Sequence, residues 1–213
     1  MTLIEGPKRG QSSRPRRGRP ANTSSDDTVA VMLSAARRRF AAHGYAATTN
    51  RSVAASAGLS HTAIYNHFGS KAELFTAVFV DVQDLLIAEL DRSMMAAPAE
   101  PPFPHALLDA IESLRATDPS YVEFLASMYV EVRRHPELQD IFRGGSPFPI
   151  VDVLRNLAGG PPPSPEDGSR DDPMWFWIAF ALGLAQLSAL ADAEIFTTTI
   201  AALRRQLSTG KDR

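Results

Sequence analysis

The sequence predicts an all-α protein, with a small three-helix domain at the N-terminus followed by a larger helical domain. Most of its 16 prolines cluster at 7–20, 98–104, 147–149 and 161–173, and proline is poorly tolerated inside helices. Between these clusters apolar residues recur at helical spacing, and no sustained apolar–polar alternation of the strand type is present. We therefore expect an N-terminal arm over 1–25, a first domain over 26–72 and a second domain over 73–213.

Capping and breaking residues delimit the helices of the first domain. Asp26 and Asp27 place acidic side chains at a helix start, where they favour the helix dipole, and Gly44 ends the apolar stripe that follows. Gly58 and Gly69 end two shorter segments, since glycine is the commonest residue just past a helix. The predicted helices of this domain are 26–43, 49–57 and 60–68.

A long helix opens the second domain. Ser70 is a good N-cap, and Glu73 three residues later completes a capping box. Pro119 suits the first turn of a later helix, where its missing N–H has no cost. The predicted helices are 70–95, a helix marked by Leu107, Ile111 and Leu114, then 119–134, 137–143, 148–158, 174–191 and 193–208, with a loop over 159–173.

Segment 174–191 contains 18 residues without a charge, which makes it the one membrane candidate. A spanning helix takes about 20 predominantly apolar residues, and this shorter segment also contains Gln186 and Ser188. No cluster of Lys and Arg stands immediately beside either end to set a topology. We expect a helix buried on most sides, within the protein or between two copies of it, and no membrane.

The composition narrows the possible chemistry. The chain has no cysteine, which excludes disulfides, thiolate metal sites and cysteine nucleophiles and fits a reducing compartment. The N-terminus does not read as a secretory signal, so we expect a cytoplasmic protein. The five histidines show no metal-binding spacing, and no phosphate-binding loop or GxSxG motif is present. We expect neither an enzyme nor a cofactor or metal.

The charges are unevenly distributed. Residues 1–75 carry 11 basic and 4 acidic side chains, whereas 76–213 carry 11 basic and 20 acidic ones. A basic segment over 1–75, followed by an acidic remainder, suggests that the basic segment binds a polyanion.

The arm is rich in Ser, Gly, Pro and Arg, and we expect it to be disordered when free. Its segment 14–20, RPRRGRP, resembles an AT-hook, in which Arg17 and Arg19 flank a glycine and would lie in a narrow minor groove. The alternative is a solubilising tail that contributes only nonspecific charge.

Two short helices joined at Gly58 and Ser60 form a helix-turn-helix arrangement. Glycine permits a left-handed conformation at the sharp turn, and serine caps the second helix. Apolar residues between 53 and 68 can close a small core, so the other side chains of the second helix face outward. Short polar groups on such a helix suit the major groove of DNA. The outward residues are His61, Thr62, Ala63, Tyr65, Asn66 and His67.

Residues 44–74, GYAATTNRSVAASAGLSHTAIYNHFGSKAEL, resemble the DNA-binding segment of the tetracycline-repressor (TetR) family of bacterial regulators. Covering about the first third of the chain, the resemblance implies a dimeric regulator whose C-terminal domain binds a small molecule and dimerises. The matches spread over all three helices and the start of the fourth: Gly44-Tyr45, Thr48, Arg51, Val53-Ala54, Ala57-Gly58, Ser60, Ile64-Tyr65, Phe68, Ser70-Lys71 and Glu73-Leu74.

The resemblance also implies DNA contacts residue by residue. Phosphates would be bound at the start of the second helix, by a tyrosine hydroxyl and at the start of the fourth helix. Bases would be read by the third helix, because asparagine can pair with adenine and a threonine methyl can touch a thymine methyl. The residues are Thr48 or Thr49, Tyr65, Lys71 and His67 for phosphates, His61, Thr62 and Asn66 for bases, and Arg51 and Ala63 on the same surface.

Two positions depart from the family pattern. Asn50 stands where an apolar residue is usual, so it either faces DNA or weakens the small core. His61 stands where Lys or Arg is common, so one contact is weaker or pH-sensitive. Core packing is the alternative for Tyr65 and Phe68, and a solvated side chain is the alternative for Lys71.

The second domain is expected to dimerise and to enclose a ligand cavity, as the resemblance implies. Two copies of the last two helices would form a four-helix interface, and an apolar, aromatic lining suggests an apolar or aromatic ligand. The interface candidates are Ala179, Gly183, Ala185, Ala189, Phe196, Ile200, Leu203 and Leu207. The cavity candidates, each alternatively a core residue, are Val82, Leu86, Leu107, Ile111, Tyr121, Leu125, Met128, Tyr129, Trp175 and Phe180.

We interpret the chain as a homodimeric repressor that a small-molecule effector releases from a near-palindromic site in double-stranded DNA. One alternative is an architectural or inducer-independent DNA binder led by the basic arm. Another is a small-molecule-binding or interaction module whose DNA-binding head is vestigial.

Overall fold

The computed structural model describes residues 25–96, 103–143 and 173–209. This part of the chain is helical and contains no strand, which confirms the predicted fold class. The predicted arm and the predicted helix over 148–158 lie outside these residues. The helices within them are α1 (Ser25–Ala47), α2 (Asn50–Ser56), α3 (His61–His67), α4 (Lys71–Ala96), α5 (Phe103–Thr117), α6 (Ser120–Arg134), α7 (Pro136–Arg143), α8 (Pro173–Leu190) and α9 (Ala193–Thr209).

Local signals set most helix boundaries as the sequence predicts, but α1 continues to Ala47, past the end predicted at residue 43. Gly44 takes φ +73° and kinks α1 three residues before its end, a conformation that costs glycine little. The Ser60 hydroxyl accepts from the Ala63 N–H at the start of α3. At the start of α4 the Ser70 hydroxyl accepts from the Glu73 N–H, 3.0 Å away, and the Glu73 carboxylate accepts from the Gly69 N–H.

One core joins the first three helices to the rest of the protein. The Phe40 and Phe75 rings lie 5.0 Å apart edge to face, and the Phe75 and Phe124 rings are also 5.0 Å apart. These rings come from α1, α4 and α6, and the same buried cluster includes Ile64 of α3. The predicted division at residue 72 therefore falls in the first turn of α4, inside a shared core.

A second buried cluster forms the far half of the molecule. It combines the distal part of α4 with α5, α8 and α9, and Leu107, Ile111 and Leu184 lie at its centre. Helix α8 is apolar on most of its faces and contacts both α5 and α6. Over the residues that the structure describes, no helix combines the length and apolarity that a membrane crossing requires.

The second cluster corrects part of the predicted dimer interface. Ala185, Phe196 and Ile200 are buried within the protomer's own core, so assigning them to a subunit interface is wrong. Leu203 and Leu207 are partly buried against the same core. By contrast, the other three predicted interface residues are exposed: Ala179, Gly183 and Ala189.

A buried arginine ties α1 to the start of α6. Arg37 is only 3% exposed, and its guanidinium donates to the Asp118 carboxylate over 2.8 Å and to the Ser120 hydroxyl over 2.9 Å. The same guanidinium lies 3.4 Å from the centre of the Tyr121 ring. Arg38 adds a second contact to Asp118, 2.9 Å long. This cluster fixes one orientation of α1 on α6.

The Asp118 carboxyl has a depressed pKa. Burial acts to raise it, but hydrogen bonds from Ser120, Arg38 and Arg37 outweigh burial and lower the pKa of Asp118 to about 2. A carboxyl with a folded-state pKa below its unfolded value stabilises the fold above the unfolded pKa, near 3.9. That contribution disappears as the pH falls towards the folded-state value.

We predict that Asp118→Asn lowers the free energy of unfolding at pH 7 by about 2 kcal/mol, because the charge that compensates Arg37 is lost. The difference from the native protein should be constant above about pH 5 and shrink between about pH 4 and pH 2. Urea unfolding at several pH values measures it. The control is Asp91→Asn at an exposed position of α4; an equal effect there, or a difference that grows in acid, would contradict the prediction.

Candidate nucleic-acid interface

The turn between α2 and α3 sets the geometry of the candidate interface. Gly58 takes φ +67°, and an added Cβ there would meet open space, so the turn requires glycine for its backbone and not for packing. Val53 and Ala54 of α2 and Ile64 of α3 are buried together in the core. Through these contacts α3 packs into the core by one face only.

The opposite face of α3 is exposed, as predicted. Tyr65 is 50% exposed, which rules out core packing for its ring, whereas Phe68 is buried. The Tyr65 ring stands edge to face with the His61 ring, 4.8 Å away. The face therefore offers hydroxyl, amide and imidazole groups side by side. Its exposed residues are His61, Thr62, Tyr65, Asn66 and His67, with Ala63 partly buried between them.

The two threonines before α2 have different roles. Thr49 is exposed and caps α2: its hydroxyl accepts from the Ser52 N–H, 3.1 Å away. Thr48 is fully buried, and its hydroxyl donates to the Gly44 carbonyl over 2.8 Å. A phosphate contact from Thr48 is therefore wrong, because its hydroxyl is committed to the end of α1. Arg51, the second residue of α2, is exposed as Thr49 is.

Asn50 faces inward. Its side chain is buried, so it does not present itself to DNA. Among the described residues its Oδ1 has no hydrogen-bond partner. A buried amide oxygen without a partner is unfavourable, which agrees with the alternative that Asn50 weakens the small core.

Lys71 is drawn towards the body of the protein. Its amine donates to the Tyr45 carbonyl over 2.9 Å and lies 4.0 Å from the centre of the Tyr45 ring. Burial lowers the pKa of Lys71, while the carboxylates of Glu137 and Glu131 act against that shift. The predicted phosphate contact stays a prediction. It would use the N–H groups of Lys71 that do not donate to the Tyr45 carbonyl.

Tyr45 connects this corner to α6 and α7. Burial and the adjacent Glu137 carboxylate raise the pKa of Tyr45 to about 12, so its hydroxyl is neutral. Its ring lies 4.7 Å from the His135 ring, and His135 pairs with Glu131 over 3.2 Å. A Cβ on Gly44 would come within 2.6 Å of the Glu131 carboxylate. The end of α1 therefore fits closely against α6.

The structure also contains an apolar cavity in the body. Its volume is about 50 Å³. Helices α4, α5, α6 and α8 supply its wall, and each contributes apolar side chains. The lining residues are Phe79, Gln83, Leu86, Leu107, Ile111, Leu125, Met128, Tyr129, Ile178, Ala181, Leu182 and Ala185.

The cavity partly matches the sequence prediction. Val82 is a core residue, Tyr121 stacks on Arg37, and Phe180 packs on Trp177, so none of these lines the cavity. Trp175 lies in α8, but its side chain is outside the described part of the structure. Six predicted residues do line it: Leu86, Leu107, Ile111, Leu125, Met128 and Tyr129.

The sequence analysis placed α8 at the cavity through Trp175 and Phe180, but it missed the residues by which α8 lines the wall. It also missed Phe79 and Gln83 of α4. A signal for Gln83 was present, because Phe79, Gln83 and Leu86 follow one another at the 3–4-residue spacing of a single helix face. The assigned DNA-contact arginines of the arm, Arg17 and Arg19, lie outside the described residues.

Comparison with known proteins identifies the head. Residues 32–78, which run from α1 into α4, match the family described as bacterial regulatory proteins, tetR family. The chain is also 35% identical over 109 residues to the HTH-type transcriptional repressor AcnR of Corynebacterium diphtheriae, covering 47% of this chain and 57% of that protein. This part of the chain is therefore similar to the N-terminal segment of TetR-family regulators.

Solved structures extend the likeness to the whole fold. Salmonella enterica GusR superposes with a TM-score of 0.58 at 19% identity, covering 85% of this chain and 95% of that one. The fatty acid degradation regulator FadR from Bacillus halodurans gives 0.60 at 14% identity, covering 90% and 96%. The match to the curated AcnR repressor spans little more than half of that protein's length.

We predict that Thr48→Val lowers the free energy of unfolding by about 1 kcal/mol, the net value of an ordinary hydrogen bond, and leaves DNA affinity unchanged. The matched control is Thr62→Val on the exposed face of α3, which should leave stability unchanged within about 0.5 kcal/mol and weaken DNA binding. Urea unfolding and fluorescence anisotropy with a selected DNA fragment measure the two effects. Equal losses of affinity in both variants would restore Thr48 as a DNA contact.

Proposed function

We propose that the protein is a homodimeric, sequence-specific transcriptional repressor that a small molecule releases from a near-palindromic operator. The observation that carries the proposal is the exposed polar face of α3 in a head that matches the TetR family. An isolated polar helix face is ordinarily just solvated. A face of base-reading side chains after a glycine turn, in this family, is best explained by the major groove.

The chemistry of the face suits bases and phosphates together. Asn66 offers the donor and acceptor pair that adenine requires, and Thr62 offers a methyl and a hydroxyl. Thr49 and Arg51 stand at the start of α2, and Tyr65 presents its hydroxyl from α3; all three are exposed. These groups would bind phosphates on either side of the groove and so fix the register of α3.

The basic arm is proposed to add affinity without directing the choice of sequence. Its cations would release counterions from DNA, so their contribution falls steeply with salt. The charge distribution supports this role, because most of the excess positive charge of residues 1–75 lies before α1. If the arm alone reads a narrow minor groove, the architectural alternative applies. The basic residues are Lys8, Arg9, Arg14, Arg16, Arg17 and Arg19.

A dimer is proposed through the exposed face of α8. Phe176 and Leu190, which is 84% exposed, mark the two ends of this face, and Ala179 and Gly183 lie between them. A Cβ added at Gly183 would meet nothing within the protomer, so a partner helix could approach closely there. Two copies related by a two-fold axis would present two α3 helices to two half-sites.

The effector is proposed to bind in the cavity between α4, α5, α6 and α8. Helix α4 starts at Lys71, directly after the recognition helix α3, and it also forms one wall of the cavity. A ligand that favours a different position of α4 would therefore favour a different position of the head. Release from DNA follows as a coupling free energy between the two sites.

We predict that genomic fragments of the source organism selected at about 150 mM salt contain one or a few near-palindromic sites. Asn66→Ala should reduce the preference for those sites about tenfold to a hundredfold, the value of one bidentate base contact. Deletion of residues 1–24 should weaken binding to all DNA, flatten its salt dependence and preserve the preference. If deletion of residues 1–24 abolishes the sequence preference and Asn66→Ala leaves it unchanged, the arm-led alternative is favoured. If the protein binds no DNA fragment, the alternative of an interaction module with a vestigial DNA-binding head is favoured.

We predict that Gly183→Glu converts a dimer into a monomer in sedimentation velocity at micromolar concentration. The protomer has room for the new side chain, whereas a closely packed partner helix would bury its charge at high cost. The control is Ala88→Glu, at an exposed position of α4, which should remain dimeric. A monomeric native protein, or a dimeric Gly183→Glu variant, would show that α8 is not the interface.

A further inference from the structure

The wall of the cavity is apolar except at two points. Of the 12 lining residues in the described part of the chain, only Gln83 of α4 and Tyr129 of α6 carry polar side-chain groups, and none is charged. Tyr129 is partly exposed at the cavity rim, and burial raises its pKa, so its hydroxyl stays neutral. The chemistry of the wall is therefore that of a hydrocarbon surface with two neutral hydrogen-bonding groups.

Gln83 is the better-buried of the two. Its side chain is 1% exposed and lies between Phe79 and Leu86 on the inner face of α4. Burying an amide costs about 1–3 kcal/mol more than burying an apolar group unless hydrogen bonds compensate. An amide has two donors and an accepting oxygen, so it can bind a ligand and still keep a bond to the protein.

The absence of charge in the wall restricts what can enter. A carboxylate, phosphate or ammonium would lose its hydration without gaining a counterion, which costs several kcal/mol even after the protein relaxes. An uncharged ligand avoids this cost. A purely apolar ligand would form no hydrogen bond with the Gln83 amide.

The size of the cavity adds a second restriction. A volume of about 50 Å³ is below the range of about 300–1,000 Å³ usual for ligand pockets. Entry of a ligand must therefore displace wall side chains. Met128 is suited to this because its unbranched thioether has many accessible rotamers. A compact ligand requires the least displacement.

We infer that this cavity takes a compact, uncharged and mostly apolar molecule with one hydrogen-bonding oxygen or nitrogen, which the Gln83 amide recognises. The inference rests on the proposed function for the ligand's role as effector, but the ligand class follows from the wall itself. Because Gln83 belongs to α4, the selective contact with the ligand lies on the helix that follows α3.

Four molecules of one skeleton test the ligand class: 1-indanone, indane, indane-1-carboxylate and 1-aminoindane. Ligand-observed NMR titration of the full-length protein measures their binding. We expect 1-indanone and indane to bind and the two ions to bind at least about tenfold more weakly than 1-indanone, since each would lose its hydration in an uncharged wall. Tighter binding of either ion, or no binding by any of the four, would overturn the inference.

Gln83→Leu tests the recognising residue. It should weaken 1-indanone and strengthen indane, so that their affinity ratio changes about tenfold. Gln83→Met keeps the length of the side chain and replaces the leucine variant if that does not fold. Gln206→Leu, at an exposed position of α9, is the matched control and should leave the ratio unchanged. An unchanged ratio in the Gln83 variants would overturn the role of Gln83.

Release from a selected DNA fragment separates this inference from the proposed function. If 1-indanone binds through Gln83 and also releases DNA, the ligand class and the effector role are both supported. If it binds through Gln83 without releasing DNA, the ligand class is supported and the effector role is overturned. Release of DNA by an indane ion that the NMR titration places in the cavity would overturn the ligand class and support the effector role.

Discussion

The buried pair of Arg37 and Asp118 determines how the DNA-binding head sits on the body. A guanidinium taken out of water is stable only where every donor has a well-placed acceptor, and α6 supplies these at its first turn. Because the acceptors come from a single helix end, α1 has one favourable position on α6. Helix α2 packs on α1, α3 packs on α2, and α6 lines the cavity. The candidate nucleic-acid interface and the cavity therefore both depend on the contact between α1 and α6.

The sequence predicts most of the helices because their boundaries have local causes. Gly44, Ser60 and the Ser70–Glu73 pair act within one turn of the chain. The structure shows the expected caps at Ser60 and Ser70, and at Gly44 it shows a kink in place of the expected helix end. The outward face of α3 was predictable for a related reason. Once Ile64 and Phe68 are assigned to the core, helical geometry sends the intervening side chains to the other side.

The sequence could not decide what each face meets. Thr48 and Thr49 are adjacent and chemically identical, and only the packing of α1 makes one a buried donor and the other an exposed cap. Phe196 and Ile200 lie on an apolar stripe that fits a partner helix and the protomer's own core equally well. Periodicity identifies such a stripe. Contacts between distant parts of the chain determine which surface the stripe packs against. For the same reason the sequence placed α8 at the cavity but did not identify which of its residues line the wall.

The continuity of α4 has a mechanical consequence. No break interrupts this helix between Lys71 and Gln83, a separation of about 18 Å at 1.5 Å per residue. A rigid rod of that length converts a tilt of about 3° at the cavity end into a displacement of about 1 Å at the other. Shifts of one to two ångströms are typical of helices that switch between two packed states. In the proposed mechanism, a ligand that tilts α4 by this amount would move the head by about 1 Å without a wide opening of the cavity.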